Sequence, residues 1–142
     1  MSESNVSETN YSLPLPVLIG LHKEFYDHCK NQALHFQRCD ECETFRHVPR
    51  EMCAKCGSWN WSWVPSSGRG RIFTWTVVER PMHAAFVDAC PYAPVVIEME
   101  EGVRLLSEVS DVAPGDLEID MQVAIHYDDV TDEVTLPKFK RA

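Results

Sequence analysis

Residues 39–57 read CDECETFRHVPREMCAKCG, and the four cysteines of this stretch decide the fold. They form two Cys-x-x-Cys pairs separated by ten residues, Cys39 with Cys42 and Cys53 with Cys56. Four thiolates in this arrangement suit one tetrahedral zinc ion, each pair supplying two ligands from a tight turn. The spacer is shorter than the roughly fifteen to twenty residues that are usual, but it can hold a short hairpin. Because a four-cysteine site leaves no open position for substrate, we predict a structural zinc ion.

Two other uses of the cysteines remain open. A pair of disulfides would need an oxidising compartment, and the first residues, MSESNVSETN, lack the basic and apolar regions of a secretory signal. A redox-active pair would need a strand-to-helix context, which neither CDEC nor CAKC provides. We predict that His47, between the pairs, is a surface histidine and not a ligand. Gly57 follows the last cysteine, where a positive φ is often needed.

The composition limits the classes of partner. The chain has 142 residues, enough for one domain or two very small ones, with 13 basic and 22 acidic residues and a net charge of −9. Nucleic-acid-binding modules usually have the opposite balance, because they neutralise phosphates. The sequence contains no apolar run of about eighteen residues, so we expect no transmembrane helix. We therefore expect a cytoplasmic protein that contacts no membrane, with a disordered lead over residues 1–16.

Apolar residues spaced three or four apart predict a helix over residues 17–31, inside an N-terminal segment 17–33. These residues are Leu18, Leu21, Phe25 and Cys29. The stripe could pack on its own domain or dock a partner protein. Residues 34–64 would then form the metal-binding ribbon.

Trp59, Trp61 and Trp63 alternate as on a strand with one aromatic face. Such a face could stack nucleobases. In an acidic chain we favour a seam between two small domains.

Residues 65–142 show the alternation of β-strands. We predict five strands, at Arg71–Glu79, Pro94–Met99, Val103–Val109, Met121–Tyr127 and Glu133–Leu136. Glu101 and Gly102 would form a hairpin turn between the second and third. A five-stranded barrel of the oligonucleotide/oligosaccharide-binding (OB) type is the simplest closed arrangement, and a small open sandwich is the alternative. The chain is therefore predicted to be mainly β.

Two long loops, Arg80–Ala93 and Ser110–Asp120, interrupt these strands, and such loops often carry function. The first contains four residues of interest, His83, Phe86, Cys90 and Tyr92. His83 and Cys90 could form a base–nucleophile pair, but a loop histidine and a small buried thiol are the simpler interpretation. We predict no catalytic residue in this chain.

Arg69 and Arg71 are better candidates for binding, because guanidinium groups form bidentate contacts with phosphates. A solvated turn or an ion pair with a partner is the alternative.

The order of motifs over nearly the whole chain resembles the zinc-ribbon/OB-fold proteins associated with acyl-CoA metabolism, formerly a domain of unknown function. The resemblance begins near residue 17 and rests on the following motifs: Phe25-Tyr26; Leu34-x-x-x-x-Cys39-x-x-Cys42; Pro49-Arg50-x-x-Cys53-x-x-Cys56-Gly57-Ser58; Ser67-Gly68-Arg69-Gly70-x-Ile72-x-x-x-Thr76-Val77-Val78; Pro91-Tyr92-x-x-x-x-Ile97-Glu98; Glu101-Gly102-x-Arg104-Leu105-Leu106-Ser107; and Leu136-Pro137-x-Phe139. Asp120 stands where relatives often carry glycine, which alters a turn without threatening the fold.

The resemblance implies an N-terminal helix, a rubredoxin-like zinc ribbon and a C-terminal OB-fold barrel. It also implies an accessory subunit, not catalytic alone, in a hetero-oligomer with a thiolase-like enzyme of the lipid-transfer-protein/thiolase family. The substrate of the complex would be a CoA thioester, narrowed here to a steroid or sterol side-chain aldolase complex. We expect Phe86, Tyr92 and His83 to wall the acyl channel, and Arg69 and Arg71 to contact the phosphates.

Two alternatives stay open: a subunit of a MaoC-type enoyl-CoA hydratase complex, and a single-strand nucleic-acid-binding module. The charge balance counts against the second.

Overall fold

The computed structural model describes residues 11–142, so the predicted disordered lead lies largely outside the described residues. One helix, α1, spans Gly20–Lys30. The eight strands are β1 His35–Cys39, β2 Phe45–Arg46, β3 Trp61–Pro65, β4 Arg69–Trp75, β5 Val95–Met99, β6 Arg104–Ser107, β7 Gln122–Asp129 and β8 Thr135–Arg141. Short 3₁₀ helices at Ala84–Ala89 and Pro114–Asp116 lie in the two predicted loops.

Helix α1 begins three residues later than predicted. Ile19 is still extended, with φ −133° and ψ 148°, and Gly20, where the helix begins, has φ +56°. Phe25 and Cys29 are buried in the core of this chain, so the apolar stripe packs on its own domain. Burial raises the pKa of the Cys29 thiol to about 12, which keeps it protonated. Among residues 11–142, no helix is both long and apolar enough to cross a bilayer.

The ribbon is a three-stranded antiparallel sheet in the order β2-β1-β3. Its centre is Gln37, a polar residue with 1% of its surface exposed. The Gln37 amide donates to the Arg50 carbonyl at 3.0 Å and accepts from Arg50 N–H at 2.8 Å and from Arg46 Nε at 3.1 Å. Gln37 therefore braces the spacer between the two cysteine pairs.

The second sheet has the order β6-β5-β4-β7-β8, and all its neighbouring strands are antiparallel. Its two edges approach each other past the end of β6. There Phe139 N–H donates to the Glu108 carbonyl at 3.0 Å, and Ser110 N–H donates to the Phe139 carbonyl at 2.8 Å. The sheet is therefore curled, as in an OB-fold, and all five predicted strands are present.

The strand ends differ from the prediction, most of all for the last strand, which spans Thr135–Arg141 rather than Glu133–Leu136. Gly70 and Ile72 are buried and Arg71 and Phe73 are exposed, and a bulge between Ile72 and Thr74 then brings Trp75 against the core. Strand β4 ends at Trp75 rather than Glu79. The Glu101-Gly102 turn is confirmed, because Gly102 has φ +90° and its N–H donates to the Met99 carbonyl at 2.9 Å.

One apolar core joins the helix, the ribbon and the barrel. Phe25 of the helix and Leu34 and Phe36 of the ribbon belong to the same buried cluster as the barrel residues Ile97 and Phe139. Two hydrogen bonds fasten the join: the Tyr127 hydroxyl accepts from Leu34 N–H at 2.7 Å, and Ser66 N–H donates to the Leu34 carbonyl at 2.8 Å.

Candidate metal centre and predicted binding residues

The two cysteine pairs lie in turns of the same design. In the first turn, Glu43 has φ +63° and donates its N–H to the Cys39 carbonyl at 3.0 Å. In the second, Gly57 has φ +78° and donates its N–H to the Cys53 carbonyl at 2.9 Å. The left-handed residue after each pair closes the turn, so both sulfurs of a pair face the same side. The expectation for Gly57 is confirmed; Glu43 does the same without being a glycine.

The four sulfurs converge on one point, all within 4.8 Å of one another. Cys39 Sγ lies 3.5 Å from Cys56 Sγ, and Cys42 Sγ lies 3.6 Å from Cys53 Sγ. A tetrahedron with metal–sulfur bonds of about 2.3 Å has sulfurs about 3.8 Å apart, whereas a disulfide bond is about 2.05 Å. The four cysteines are therefore positioned to bind a metal ion, and all are free thiols here.

Thr44 supports the metal centre in a way the sequence did not reveal. Its Oγ1 lies 3.3 Å from Cys42 Sγ. This side-chain hydrogen bond, helped by the Thr44 backbone, lowers the pKa of Cys42 to about 6. Cys42 is thus disposed to the thiolate form, which is the form that ligates metal.

His47 is not the surface histidine that was predicted. Its ring lies 4.9 Å from the ring of Phe25 and 5.4 Å from that of Phe36, measured between centroids. Burial, and to a lesser extent His22, lowers the pKa of His47 to about 4. The imidazole is therefore neutral at physiological pH. The aromatic neighbours come from α1 and β1, and only the tertiary fold reveals them.

Arg69 and Arg71 are both exposed on β4, but Arg71 is already paired. It binds Glu98 at 2.8 Å and Asp120 at 3.1 Å. The hydrogen bond from Arg71 holds the pKa of Glu98 below its usual range. Asp120 has φ +66°, a conformation that glycine adopts more easily than other residues. Unlike a glycine, Asp120 has a carboxylate, and this group pairs with Arg71. The phosphate role of the two arginines stays a prediction.

The first long loop is closed at its base by hydrogen bonds between Val78 and Tyr92, at 2.8 and 3.2 Å. Phe86 and Tyr92 are brought together, with ring centroids 5.4 Å apart. His83 lies on the outer side, and its Nδ1 accepts from Ala85 N–H at 3.0 Å, so it caps the 3₁₀ helix. In the part of the chain that the structure describes, no hydrogen bond joins His83 to Cys90. Arg71 faces a separate depression from Phe86 and Tyr92.

The three tryptophans have different surroundings. Trp61 and Trp63 pack edge to face at 5.2 Å, and Trp63 also contacts His28 of α1 at 5.3 Å. Trp59 precedes β3 and is 67% exposed. Trp63 thus contributes to the contact between ribbon and helix, whereas Trp59 does not.

Two family models match consecutive parts of the chain. "ChsH2, rubredoxin-like zinc ribbon domain" matches residues 27–62, and "ChsH2, C-terminal OB-fold domain" matches residues 63–128. The solved structure "Ltp2-ChsH2(DUF35) aldolase" is similar with a TM-score of 0.79 and 33% identity, covering 89% of this chain and 98% of that chain. The chain belongs to the DUF35 family. The zinc ribbon and the OB-fold of this chain are therefore the two domains that the ChsH2 family models describe.

Curated relatives of this DUF35 chain carry different names. It is 34% identical over 129 residues to "Probable enoyl-CoA hydratase alpha subunit" of Thermomonospora curvata, 91% of this chain and 40% of the relative. It is 37% identical over 90 residues to "DUF35 domain-containing scaffold protein" of Methanocaldococcus jannaschii, 61% of each. It is 32% identical over 108 residues to "3-oxo-4,17-pregnadiene-20-carboxyl-CoA hydratase alpha subunit" of Mycobacterium tuberculosis, 76% of this chain and 34% of the relative. The chain therefore spans less than two thirds of each relative.

Proposed function

We propose that this chain is the accessory subunit of a thiolase-like acyl-CoA enzyme, in an aldolase complex that acts on a CoA thioester. The observation that carries the proposal is the similarity to the Ltp2-ChsH2(DUF35) aldolase, which extends over 98% of that chain. The steroid-related substrate in the name of the Mycobacterium tuberculosis relative supports a steroid side chain as the acyl group.

The metal centre fits a stabilising role in this proposal. Zinc bound by Cys39, Cys42, Cys53 and Cys56 would have all four positions filled by protein. Such an ion folds the ribbon and offers no site for substrate or activated water. The chemistry would then belong to the partner enzyme, and this chain would contribute surface and shape.

The first long loop is the proposed contact with the partner. None of the residues Ala84–Ala89 is buried, and Met82 is 96% exposed. Val87, also apolar and exposed, lies on the same loop. An apolar loop fixed at its base by the Val78–Tyr92 bridge is suited to insert into a partner and to place Phe86 near its channel.

A second candidate is a subunit of an enoyl-CoA hydratase complex of the MaoC type. Two relatives are named as hydratase alpha subunits, and both are much longer than the part that matches. In that case the catalytic residues would lie outside the region shared with this chain.

Co-expression with candidate partners from the native host distinguishes the two. We expect the tagged chain to co-purify with a thiolase-like enzyme, and the pair, but neither chain alone, to cleave an acyl-CoA by retro-aldol chemistry. Co-purification with a hydratase and addition of water to an enoyl-CoA would support the second candidate. Turnover by the lone chain would contradict both.

A paired substitution tests the loop contact. Met82→Asp introduces a charge at the most exposed apolar residue of the loop, and Ile119→Asp does so at an exposed residue of the other loop. We expect the first to abolish co-purification and the second to leave it unchanged. If the two substitutions changed co-purification equally, the first long loop would not be the specific contact with the partner.

A further inference from the structure

A groove of about 890 Å³ lies where the N-terminal segment, the helix, the ribbon and the barrel meet. Its lining includes Phe25 and Tyr26 of the helix, His47 of the ribbon, and Tyr92 and Leu106 of the barrel domain. Ligand sites typically have volumes of roughly 300–1,000 Å³ and mostly apolar or aromatic linings. The groove is therefore large enough for a ring system or a chain of about a dozen carbons.

The cations along the groove are already neutralised. Lys138 lies 2.8 Å from Glu108 and 2.7 Å from Asp128. Arg104 lies 3.5 Å from Glu98, and its guanidinium stacks on Phe73 at 3.8 Å. An anionic head group would therefore have to compete with carboxylates for each cation. The groove suits a ligand without charge.

His47 supplies a polar group on the apolar wall. No hydrogen bond to either ring nitrogen is present within residues 11–142, and the ring lines the groove with its centroid 4.9 Å from that of Phe25. Its lowered pKa, about 4, keeps it neutral. A neutral imidazole can donate one hydrogen bond and accept another, so it can serve a carbonyl or a hydroxyl.

We propose that this groove binds an uncharged, mainly apolar molecule with one ketone or hydroxyl, which forms a hydrogen bond to His47. The binding needs no partner enzyme, so it goes beyond the accessory role proposed above. Removing the apolar body from water supplies most of the affinity, and the hydrogen bond to His47 fixes its orientation.

Titration of the ¹⁵N-labelled full chain by NMR tests the proposal with three probes. The tetracyclic ketone androstan-3-one and the linear ketone 2-dodecanone share the ketone group and differ in shape. Their relative affinities therefore show whether the groove prefers a ring system or a linear chain. Dodecanoate is a linear probe that carries a charge. We expect at least one ketone to shift resonances of residues around the groove, and dodecanoate to bind at least tenfold more weakly than that ketone. No shift with either ketone, or equal binding of dodecanoate, would overturn the proposal.

Two substitutions and their controls locate the site. His47→Phe keeps the ring packing and removes the hydrogen bond, so the ketone should bind about three- to tenfold more weakly. Leu106→Asp changes an exposed groove residue and should abolish binding. His126→Phe and Ile119→Asp make the same changes outside the groove and should leave the affinity unchanged. Unchanged affinity in His47→Phe, with its spectrum confirming a folded chain, would refute the contact.

These outcomes are independent of the aldolase proposal. Ligand binding is measured on the lone chain, whereas the accessory role is measured by co-purification and activity of the pair. A chain that binds ketones and recruits no partner would refute only the accessory role.

Discussion

The ribbon and the barrel are stabilised in different ways. The ribbon buries few apolar side chains, among them Leu34 and Phe36, and its central buried residue is the polar Gln37. The barrel buries a continuous apolar set: Ile72, Val95, Ile97, Met99, Val103, Leu105, Val109, Val112, Leu117, Val123 and Phe139. A region with little apolar burial needs another source of stability, and the four cysteines provide one. The barrel has no such need.

The largest expected effect is loss of the metal. Cys53→Ser removes one of four ligands, and metal binding in peptide-sized sites contributes about 10–16 kcal/mol of apparent free energy. We expect zinc to be lost and the NMR resonances of residues 34–64 to collapse while barrel resonances persist. Cys90→Ser, a cysteine outside the cluster, should retain one zinc per chain by elemental analysis. A folded ribbon without zinc would break the contrast between the two regions.

The barrel should respond to loss of apolar burial. Phe139 is 0% exposed, and Phe139→Ala should lower the free energy of unfolding by about 3–5 kcal/mol, because it leaves a cavity. Leu106→Ala, on an exposed side chain of β6, should change it by less than about 0.5 kcal/mol. Urea denaturation of the zinc-loaded protein measures both. Equal effects would show that the barrel core is not the source of its stability.

The next largest loss of stability is expected where the backbones of β4 and β5 pack closely at Gly70. A Cβ at Gly70 would lie 2.7 Å from the Glu98 carbonyl oxygen and 2.7 Å from Ile97 Cγ2, so β4 and β5 could not keep their present approach. Gly70→Ala should cost about 1–3 kcal/mol. Gly115→Ala adds a methyl group in open space and should be neutral or slightly stabilising. Thermal unfolding of the two variants makes the comparison, and equal midpoints would contradict it.

The pH dependence of stability tests the packing of His47. Its pKa is about 4 when folded and about 6.5 when unfolded, so between these values only the unfolded chain binds the proton. The free energy of unfolding should therefore fall as the pH falls from 6.5 to 4, by at most about 1.4 kcal/mol per pH unit. His47→Phe should remove the part of this slope that is due to His47. The part due to protonation of the four metal-binding cysteines should remain. Parallel curves for the two proteins would contradict the burial of His47.

The smallest effect concerns the join between the two regions. Tyr127→Phe removes the hydroxyl that accepts from Leu34 N–H, at an expected cost of about 1 kcal/mol. The useful measurement is the coupling between the two regions: the variant should widen the separation between the unfolding transitions of ribbon and barrel, but by less than zinc removal does. Tyr92→Phe, on the first loop, is the matched control. A larger loss in the control would show that the Tyr127 bond is not a joint.

The sequence predicted the parts whose causes are local. Cysteine spacing predicts the ribbon, Gly57 predicts a left-handed turn, and alternation with the Glu101-Gly102 turn predicts the barrel strands. It did not predict the bulge after Ile72, which reverses the alternation, so that Phe73 is exposed while Trp75 packs against the core.

The features that sequence reasoning missed depend on residues far apart in the chain. His47 is half-buried and packs against Phe25, which lies on a helix that precedes the ribbon. Arg71 meets Glu98 and Asp120, from another strand and a later loop. The groove is lined by residues from seven separate stretches of the chain, so no local pattern could indicate it.

Glu101 decides how the two halves of the groove are aligned. Its carboxylate accepts from the Ser66 hydroxyl at 2.6 Å and from Ser67 N–H at 3.2 Å, so the barrel's own hairpin holds the segment that leaves the ribbon. We expect that inserting a single residue between Pro65 and Gly68 would break these two hydrogen bonds to Glu101 and change the position of the ribbon relative to the barrel. His47 of the ribbon would then shift relative to Leu106 of the barrel, and these two residues line the same groove. The site is therefore a property of a junction, and the length of that short connector determines whether it exists.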